Sequence, residues 1–210
     1  MTSKRHTPKT VFAETTDSAP VYWECPVCGY LSGDPKFLDV EHPCPHCHAS
    51  GKTRRTFPTD RVRRLDERIR AYERQGDSEV VVILVMAFLE AILEDLLDRI
   101  MAGHGADLRL RRTVMDTQRS IGVRIGKVFP TLAGEEFEDA AAELGYRDFP
   151  KRWRQMREAR NAFIHDSPFN GPQETLNAQM ATDAMDLLNQ AYRLFVLLNN
   201  RFVADGVHKG

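Results

Sequence analysis

The sequence predicts a mainly α-helical bundle preceded by a small cysteine-rich module, and three observations support this fold class. All four cysteines lie in one 23-residue window, from Cys25 to Cys47. After residue 57, apolar residues recur every three or four positions, which is the spacing of one helix face. Glycine and proline separate these segments, and none of the segments alternates as a half-buried β-strand would.

Composition divides the 210 residues into three parts. Residues 1–19 are polar and aperiodic, which predicts a disordered tail. Residues 20–56 combine the cysteines with glycine, proline and aromatic residues, and they form the predicted cysteine-rich module. Residues 57–210 form the predicted helical domain.

The helical domain should contain six helices, at about 59–76, 78–101, 110–130, 135–144, 150–165 and 176–202. The second helix is apolar on nearly all sides in its first half, which predicts a central buried helix. Pro168, Gly171 and Pro172 form a loop before the last helix. That last helix carries a single apolar stripe, formed by Leu176, Met180, Leu187, Ala191, Leu194, Leu198 and Phe202.

Charge and hydropathy indicate a soluble protein. The net charge is −1, so the overall balance favours no class of partner. The first ten residues contain no apolar stretch of the kind a signal peptide needs. The strongest apolar run, Val80 to Leu89, is followed by Glu90 and Glu94, too soon to span a bilayer. We therefore expect a cytoplasmic protein without a membrane partner, where paired cysteines more often hold metal than form disulfides.

A basic segment begins at Lys52 and ends at Arg74, with nine basic residues against four acidic ones. It could face a polyanion, or it could be the solvated face of a helix. Its arginines include Arg54, Arg55, Arg61, Arg63, Arg64, Arg68 and Arg70.

The cysteines form two C-x-x-C pairs, CPVCGY and CPHCHA, with fifteen residues between them. Each tight turn can present two thiolates, and two facing turns complete a tetrahedral site. The sequence therefore predicts that Cys25, Cys28, Cys44 and Cys47 bind a metal. Because four cysteines leave no open coordination position, the metal should stabilise the fold and not take part in chemistry.

This segment resembles the zinc ribbon and rubredoxin-like knuckle families. Zinc is the expected metal, and iron is the alternative, although the spacer is short for a rubredoxin. His46 or His48 could replace a cysteine ligand, but we expect them at the surface or behind the ligands. Tyr22, Trp23 and Tyr30 could stack on nucleic-acid bases or could form the small core of the module.

The helical domain contains one group of residues with chemical potential, in the segment MREARNAFIHDSP. On a helix, Asn161 and His165 lie one turn apart on the same face, with Arg160 at its edge. Histidine can accept or donate a proton at neutral pH, and arginine binds phosphate oxygens through a planar fork. These residue types can therefore bind an anion and move a proton.

The apolar second helix (AFLEAILEDLL) and the late R-N-x-x-x-H motif resemble the HEPN superfamily over residues 60 to 205. This resemblance implies a metal-independent endoribonuclease that acts on RNA as a homodimer, with Arg160, Asn161 and His165 as catalytic residues. The implied products carry 2′,3′-cyclic phosphate and 5′-hydroxyl ends. The resemblance also suggests a defence or toxin-like role, with an antitoxin or another protein as partner.

Structural interpretations of the same residues stay open. Arg160 could pair with Glu158 or Asp166, Asn161 could cap the helix end, and His165 could bond a carbonyl in the turn. Glu90 and Glu94, one turn apart on the second helix, could face the cleft or pair with arginines. The fold would then serve as a non-catalytic RNA-binding or protein-interaction module.

Overall fold

The computed structural model describes residues 8–13, 19–165 and 176–204. Near the N-terminus it contains a three-stranded antiparallel sheet with the order β2-β1-β3, in which β1 is Tyr22–Glu24, β2 is Leu31–Ser32 and β3 is Arg55–Phe57. A short 3₁₀ helix, Pro35–Leu38, follows β2. We call residues 20–57 the ribbon.

The rest of the described chain is helical, which confirms the predicted mainly α fold with a small N-terminal module. The helices are α1 (Asp60–Gln75), α2 (Ser78–Gly103), α3 (Leu108–Thr117), α4 (Ile121–Val123), α5 (Phe129–Ala133), α6 (Phe137–Glu143), α7 (Phe149–His165) and α8 (Ala178–Asn199). Two π-helical turns, Arg124–Val128 and Asn200–Ala204, connect α4 to α5 and extend α8.

Helix α2 is the centre of the bundle, as its sequence predicts. Gly76 ends α1 in the left-handed conformation, with φ 76°, and the Asp77 side chain then accepts a hydrogen bond from the amide of Val80 to begin α2. Twelve α2 residues are buried, and the helix packs mainly against α8 and α1. This packing leaves Ala87 and the Glu90 side chain at the surface.

The predicted third helix, 110–130, is interrupted. It begins earlier, because Asp107 caps α3 through the amide of Leu110, and it breaks between Thr117 and Ile121. The guanidinium of Arg124 donates to the carbonyls of Met115 and Gln118, at 3.1 and 2.7 Å. These bonds satisfy carbonyls at the end of α3, so the chain can turn there without leaving polar groups unpaired.

The ribbon and the bundle share one hydrophobic core, to which the ribbon contributes Tyr22, Leu31 and Phe57. The Asn200 side chain bonds both backbone groups of Leu31, accepting from its amide at 2.8 Å and donating to its carbonyl at 2.9 Å. The predicted boundary between residues 56 and 57 falls inside β3. The strand therefore continues past the predicted end of the ribbon and pairs with β1 through Phe57, the first residue of the predicted helical domain.

Two predicted segments lie partly outside the described residues, namely the tail (1–7 and 14–18) and the loop at 166–172. Residues 8–13, which the sequence assigns to the disordered tail, contact the folded chain. The carbonyl of Val11 accepts from the amide of Gly33 at 2.8 Å, and the hydroxyl of Thr10 accepts from Asn200 at 3.1 Å.

The described part of the chain contains no helix that is both long and apolar enough to span a bilayer.

Candidate functional site

The two C-x-x-C turns of the ribbon have the same backbone geometry. The Cys25 carbonyl accepts from the amide of Gly29, and the Cys44 carbonyl accepts from the amide of His48, each at 2.8 Å. The residue after each pair adopts a left-handed conformation, with φ 75° at Gly29 and 61° at His48. Glycine favours this conformation, whereas histidine occupies it at a cost.

The four cysteine sulfurs lie within 4.8 Å of one another. The Cys25 and Cys47 sulfurs are 3.6 Å apart, and those of Cys28 and Cys44 are 3.8 Å apart. These distances are too long for a disulfide, which needs about 2.05 Å. A tetrahedron with metal–sulfur bonds of about 2.3 Å requires sulfurs about 3.8 Å apart, so the cluster fits a metal ion.

Hydrogen bonding within the cluster separates the cysteines electrostatically. Hydrogen bonds with neighbouring thiols, first of all with Cys28, lower the pKa of the Cys25 thiol, whereas hydrogen bonding with Cys25 raises the pKa of the Cys28 and Cys44 thiols. The guanidinium of Arg54 adds a positive charge, because its Nη1 lies 3.6 Å from the Cys25 sulfur. A metal ion binds thiolates and not thiols, so Cys25 is the sulfur best prepared for a cation, and binding of the ion must displace protons from Cys28 and Cys44.

Arg54 belongs to the basic segment, which the sequence predicts to face a polyanion or solvent. For Arg54 this prediction is wrong, because the residue is buried, at 7 % exposure. Its Nη2 donates to the carbonyls of His42 and Ala49 at 2.8 and 3.3 Å, and its guanidinium stacks over the ring of Phe37 at 4.4 Å. It therefore braces the second turn as well as facing the thiols. Sequence alone gives no signal for this role, since Arg54 and Arg55 are adjacent and equally basic.

Two of the three ribbon aromatic residues are core residues, Tyr22 in the core shared with the bundle and Tyr30 in a smaller core around the cysteines. Tyr22 and Tyr30 are both 1 % exposed, so neither offers a face for base stacking, whereas Trp23 is partly exposed. The His46 ring stacks parallel on Tyr30 at 5.8 Å, and His48 is exposed. Neither histidine belongs to the group of potential metal ligands found among the described residues.

The other arginines of the basic segment are divided between buried and exposed positions. Arg70 is buried, and its Nε donates to Asp66 at 3.0 Å. Arg61, Arg64 and Arg68 are exposed and lie on one face of α1, at intervals of three and four residues. We call these three residues the α1 basic face.

Helix α7 carries the Arg-Asn-His motif in its last turns. Asn161 and His165 are exposed and lie one turn apart on the same face, as the sequence predicts. Neither side chain has a hydrogen-bond partner among the described residues. The described residues therefore give no support to a capping or turn-closing role for Asn161 and His165, and both side chains can reach a ligand.

Arg160 is held from a different helix. Its Nη2 donates to Oε1 of Glu90 on α2 at 2.7 Å, with the arginine side chain 20 % exposed. Glu94, one turn further along α2, faces Arg124 at 3.7 Å. Both acids thus pair with arginines, and Glu90 pairs with the arginine of the motif itself. The expected alternative partner Glu158 is not the one that Arg160 contacts, and Asp166 lies outside the described residues.

Two exposed apolar residues lie within one helical turn of this ion pair, one on each helix. Ile164 is 46 % exposed and lies one turn beyond Arg160 on α7. Ala87 is exposed and lies three residues before Glu90 on α2. The motif therefore sits on a surface that combines charge with exposed apolar groups, and such surfaces are suited to contact another protein chain.

Comparison of the chain with protein-family models, with curated proteins and with solved structures gives no match. The HEPN resemblance stays a prediction from the motif and from the order of the helices.

Proposed function

We propose that the chain is a homodimeric, metal-independent HEPN-type endoribonuclease. The observation that carries this proposal is the arrangement at the end of α7. Asn161 and His165 are exposed on one face, and Arg160 beside them is held in place by Glu90. An oriented guanidinium next to an exposed imidazole is suited to bind a phosphodiester and to transfer protons around it.

In the proposed reaction, the ribose 2′-oxygen attacks the adjacent phosphorus while one His165 accepts the 2′-hydroxyl proton. The bond from phosphorus to the 5′-oxygen breaks, and a second, protonated histidine gives a proton to the leaving oxygen. Arg160 stabilises the charge that develops on the phosphate oxygens. The products are a 2′,3′-cyclic phosphate and a 5′-hydroxyl.

The second histidine comes from a second copy of the chain, since the motif contains one histidine. The exposed apolar residues Ala87 and Ile164, each within a turn of the Arg160–Glu90 pair, support a two-fold contact at this surface. Two motifs would then meet at one phosphate.

The test is incubation of zinc-loaded protein with single-stranded RNA in magnesium-free buffer containing EDTA. We expect the wild type to cleave, His165→Ala to lose cleavage, and His104→Ala, a second exposed histidine, to cleave like the wild type. Zinc content is measured after the assay, because EDTA also competes for the cysteine site. Intact RNA with wild-type protein contradicts the proposal.

A non-catalytic RNA-binding module is the second candidate, and the α1 basic face favours it. Arg61, Arg64 and Arg68 are exposed on this face, with the exposed acids Asp60 and Glu67 one turn from Arg64. RNA that is bound but not cut supports this function. Absence of binding at low salt would favour a protein-interaction module, because phosphate contacts strengthen as salt falls.

For the ribbon, the proposed metal is zinc in a structural role. The thiolate set and the sulfur spacing fit zinc, and the fully occupied shell leaves no position for a substrate. Elemental analysis should give one zinc per chain, and Cys44→Ser should reduce this ratio and the melting temperature together. One iron per chain in protein purified from cells would contradict this assignment.

A further inference from the structure

A cleft of about 170 Å³ lies on helix α7, next to the Arg-Asn-His motif. One wall is formed by α7 itself, through Pro150, Trp153, Arg154 and Arg157, and the opposite wall by the helical segment that contains Gly122, Ile125 and Gly126. Nothing in the motif or in the metal cluster uses this cleft.

The charged residues that line the cleft are two arginines, Arg154 and Arg157, and one acid, Glu138. Arg157 has no ion-pair partner among the described residues, and Arg154 pairs with Glu138 at 3.0 Å. Both members of that pair are about half exposed, and such surface pairs contribute less than about 1 kcal/mol, so Arg154 can exchange Glu138 for a ligand anion. Ile125 is partly exposed and supplies accessible apolar surface, whereas Trp153, 2 % exposed, and Pro150 are buried and lie beneath the floor of the cleft.

The size of the cleft excludes one class of ligand. Pockets that enclose a whole small molecule are usually about 300–1,000 Å³, so this cleft accommodates only one part of a larger ligand. An apolar floor beneath two arginines suits a flat aromatic base joined to a phosphate, whereas an acidic peptide has no base to place there. A single nucleotide of an RNA strand satisfies both requirements.

The position of the cleft relative to the motif points to the same ligand. Arg154, Arg157, Asn161 and His165 follow one another at intervals of three, four and four residues, and therefore lie along one face of α7. From Arg154 to His165 the helix rises roughly 16 Å, at 1.5 Å per residue. An RNA strand whose scissile phosphate lies at His165 can therefore extend along α7 and reach the cleft.

We propose that this cleft binds a nucleotide that flanks the cleavage position, with its phosphate between Arg154 and Arg157 and its base against the partly exposed Ile125, above the buried Trp153. The inference rests on the proposed action on RNA, but it does not require that the RNA be cleaved. It predicts that the enzyme contacts its substrate beyond the scissile phosphate, on the side of α7 that points towards its N-terminus.

The experiment measures binding of a single-stranded 2′-O-methyl oligoribonucleotide, which has no 2′-hydroxyl and cannot be cleaved. Trp153 is one of only two tryptophans, so a Trp23→Phe background isolates its fluorescence as a direct report from the cleft. We expect the oligonucleotide to change Trp153 fluorescence and to saturate with the same dissociation constant as a labelled-RNA titration.

Two variants separate charge from shape. Arg157→Ala removes the cation that has no ion-pair partner in the described part of the chain, and we expect roughly tenfold weaker binding, with a salt dependence of log K reduced by about 0.7 for each lost phosphate contact. Gly126→Leu fills the cleft, since a Cβ at Gly126 meets no atom within 4 Å. It should weaken binding by a similar factor while leaving the salt dependence unchanged.

Arg74→Ala is the matched control, because it removes an exposed arginine that does not line the cleft. If Gly126→Leu lowers the melting temperature, Gly122→Leu replaces it, since a Cβ there meets only the Ser120 hydroxyl at 3.8 Å. Wild-type affinity in the cleft-filling variant, or equal losses in Arg157→Ala and Arg74→Ala, would overturn the inference. RNA that binds through the cleft but is never cut would support this inference and contradict only the nuclease.

Discussion

Arg160 on α7 donates a hydrogen bond from Nη2 to Oε1 of Glu90 on α2, across 2.7 Å and 70 residues of sequence. The bond fixes the guanidinium that the proposed nuclease needs at the phosphate. In the proposed nuclease, Glu90 is therefore a positioning residue, because its effect on RNA would pass through Arg160.

Glu90→Ala should therefore reduce RNA cleavage without unfolding the protein. Loss of the anchor lets the Arg160 side chain rotate, and misplacement by about 1 Å can cost roughly a hundredfold in rate. The free energy of unfolding should fall by less than about 1 kcal/mol, because this pair is partly exposed. Cleavage kinetics and urea unfolding measure the two effects. Glu94→Ala, which loosens only Arg124, serves as the control, and an equal loss of cleavage in both variants would contradict the assigned role.

Arg54→Met should weaken metal binding in the ribbon. Zinc with four thiolates carries a net charge of −2, and Arg54 is the buried cation that faces it, 3.6 Å from the Cys25 sulfur. Substitutions behind metal ligands typically cost ten- to a hundredfold in affinity, and we expect a loss in that range. Competition with a chromogenic chelator measures it. Arg55→Met, at an exposed position on β3, should bind zinc like the wild type.

His48→Gly should stabilise the protein. His48 is exposed and has φ 61°, a conformation that costs a residue with a side chain roughly 1–2 kcal/mol. Glycine avoids that cost but loses more chain entropy, so we expect a net gain of about 0.5–1 kcal/mol in the free energy of unfolding.

Gly29, at the equivalent position in the first turn, gives the opposite expectation. Gly29→Ala should destabilise, because its Cβ would lie 2.8 Å from Cγ1 of Val203. Urea unfolding of zinc-loaded protein compares the two, and a destabilised His48→Gly would refute the interpretation.

Asn200→Ala should uncouple the ribbon from the bundle. The change leaves the buried amide and carbonyl of Leu31 without their side-chain partner, at a cost of about 2 kcal/mol or more. The free energy of unfolding is the measurement. Asn161→Ala, at an exposed position without a described partner, should change it by less than about 0.5 kcal/mol. Similar effects of the two substitutions would show that Asn200 does not join the two parts.

Asp66 should make stability depend on pH. Burial raises the pKa of Asp66 above its ordinary value, although Arg70 opposes this shift. Between the ordinary and the raised pKa, the folded protein keeps a proton that the unfolded chain has lost. Stability should therefore fall as the pH rises through this window. Unfolding free energies of the wild type and Asp66→Asn between pH 4 and 7 test this. The wild-type value should decline relative to the variant, whereas parallel curves would contradict the assignment.

Much of the bundle could be predicted because its signals are local. Gly76 and Asp77 mark the junction of α1 and α2, and the apolar surface of α2 predicts its burial. The break after Thr117 was missed, because it depends on Arg124 bonding back to the carbonyls of Met115 and Gln118. Periodicity describes one helix face and gives no information on such a bond.

For the candidate sites, the residues could be predicted but several of their partners could not. The spacing of the cysteines predicts the sulfur cluster, because each pair is brought together by its own turn. Arg54 was assigned to a solvated or polyanion-binding surface, since nothing in its neighbours distinguishes it from Arg55. Glu90 and Arg160 meet only after two helices pack, and Asn200 reaches Leu31 across 169 residues. Contacts of this kind depend on the whole fold.

The most direct test of the nuclease is identification of the ends of an RNA that the zinc-loaded protein has cut in magnesium-free buffer. The account predicts a 2′,3′-cyclic phosphate on one fragment and a 5′-hydroxyl on the other, with neither product formed by His165→Ala. Products with 5′-phosphate ends, or cleavage that survives in His165→Ala, would contradict it.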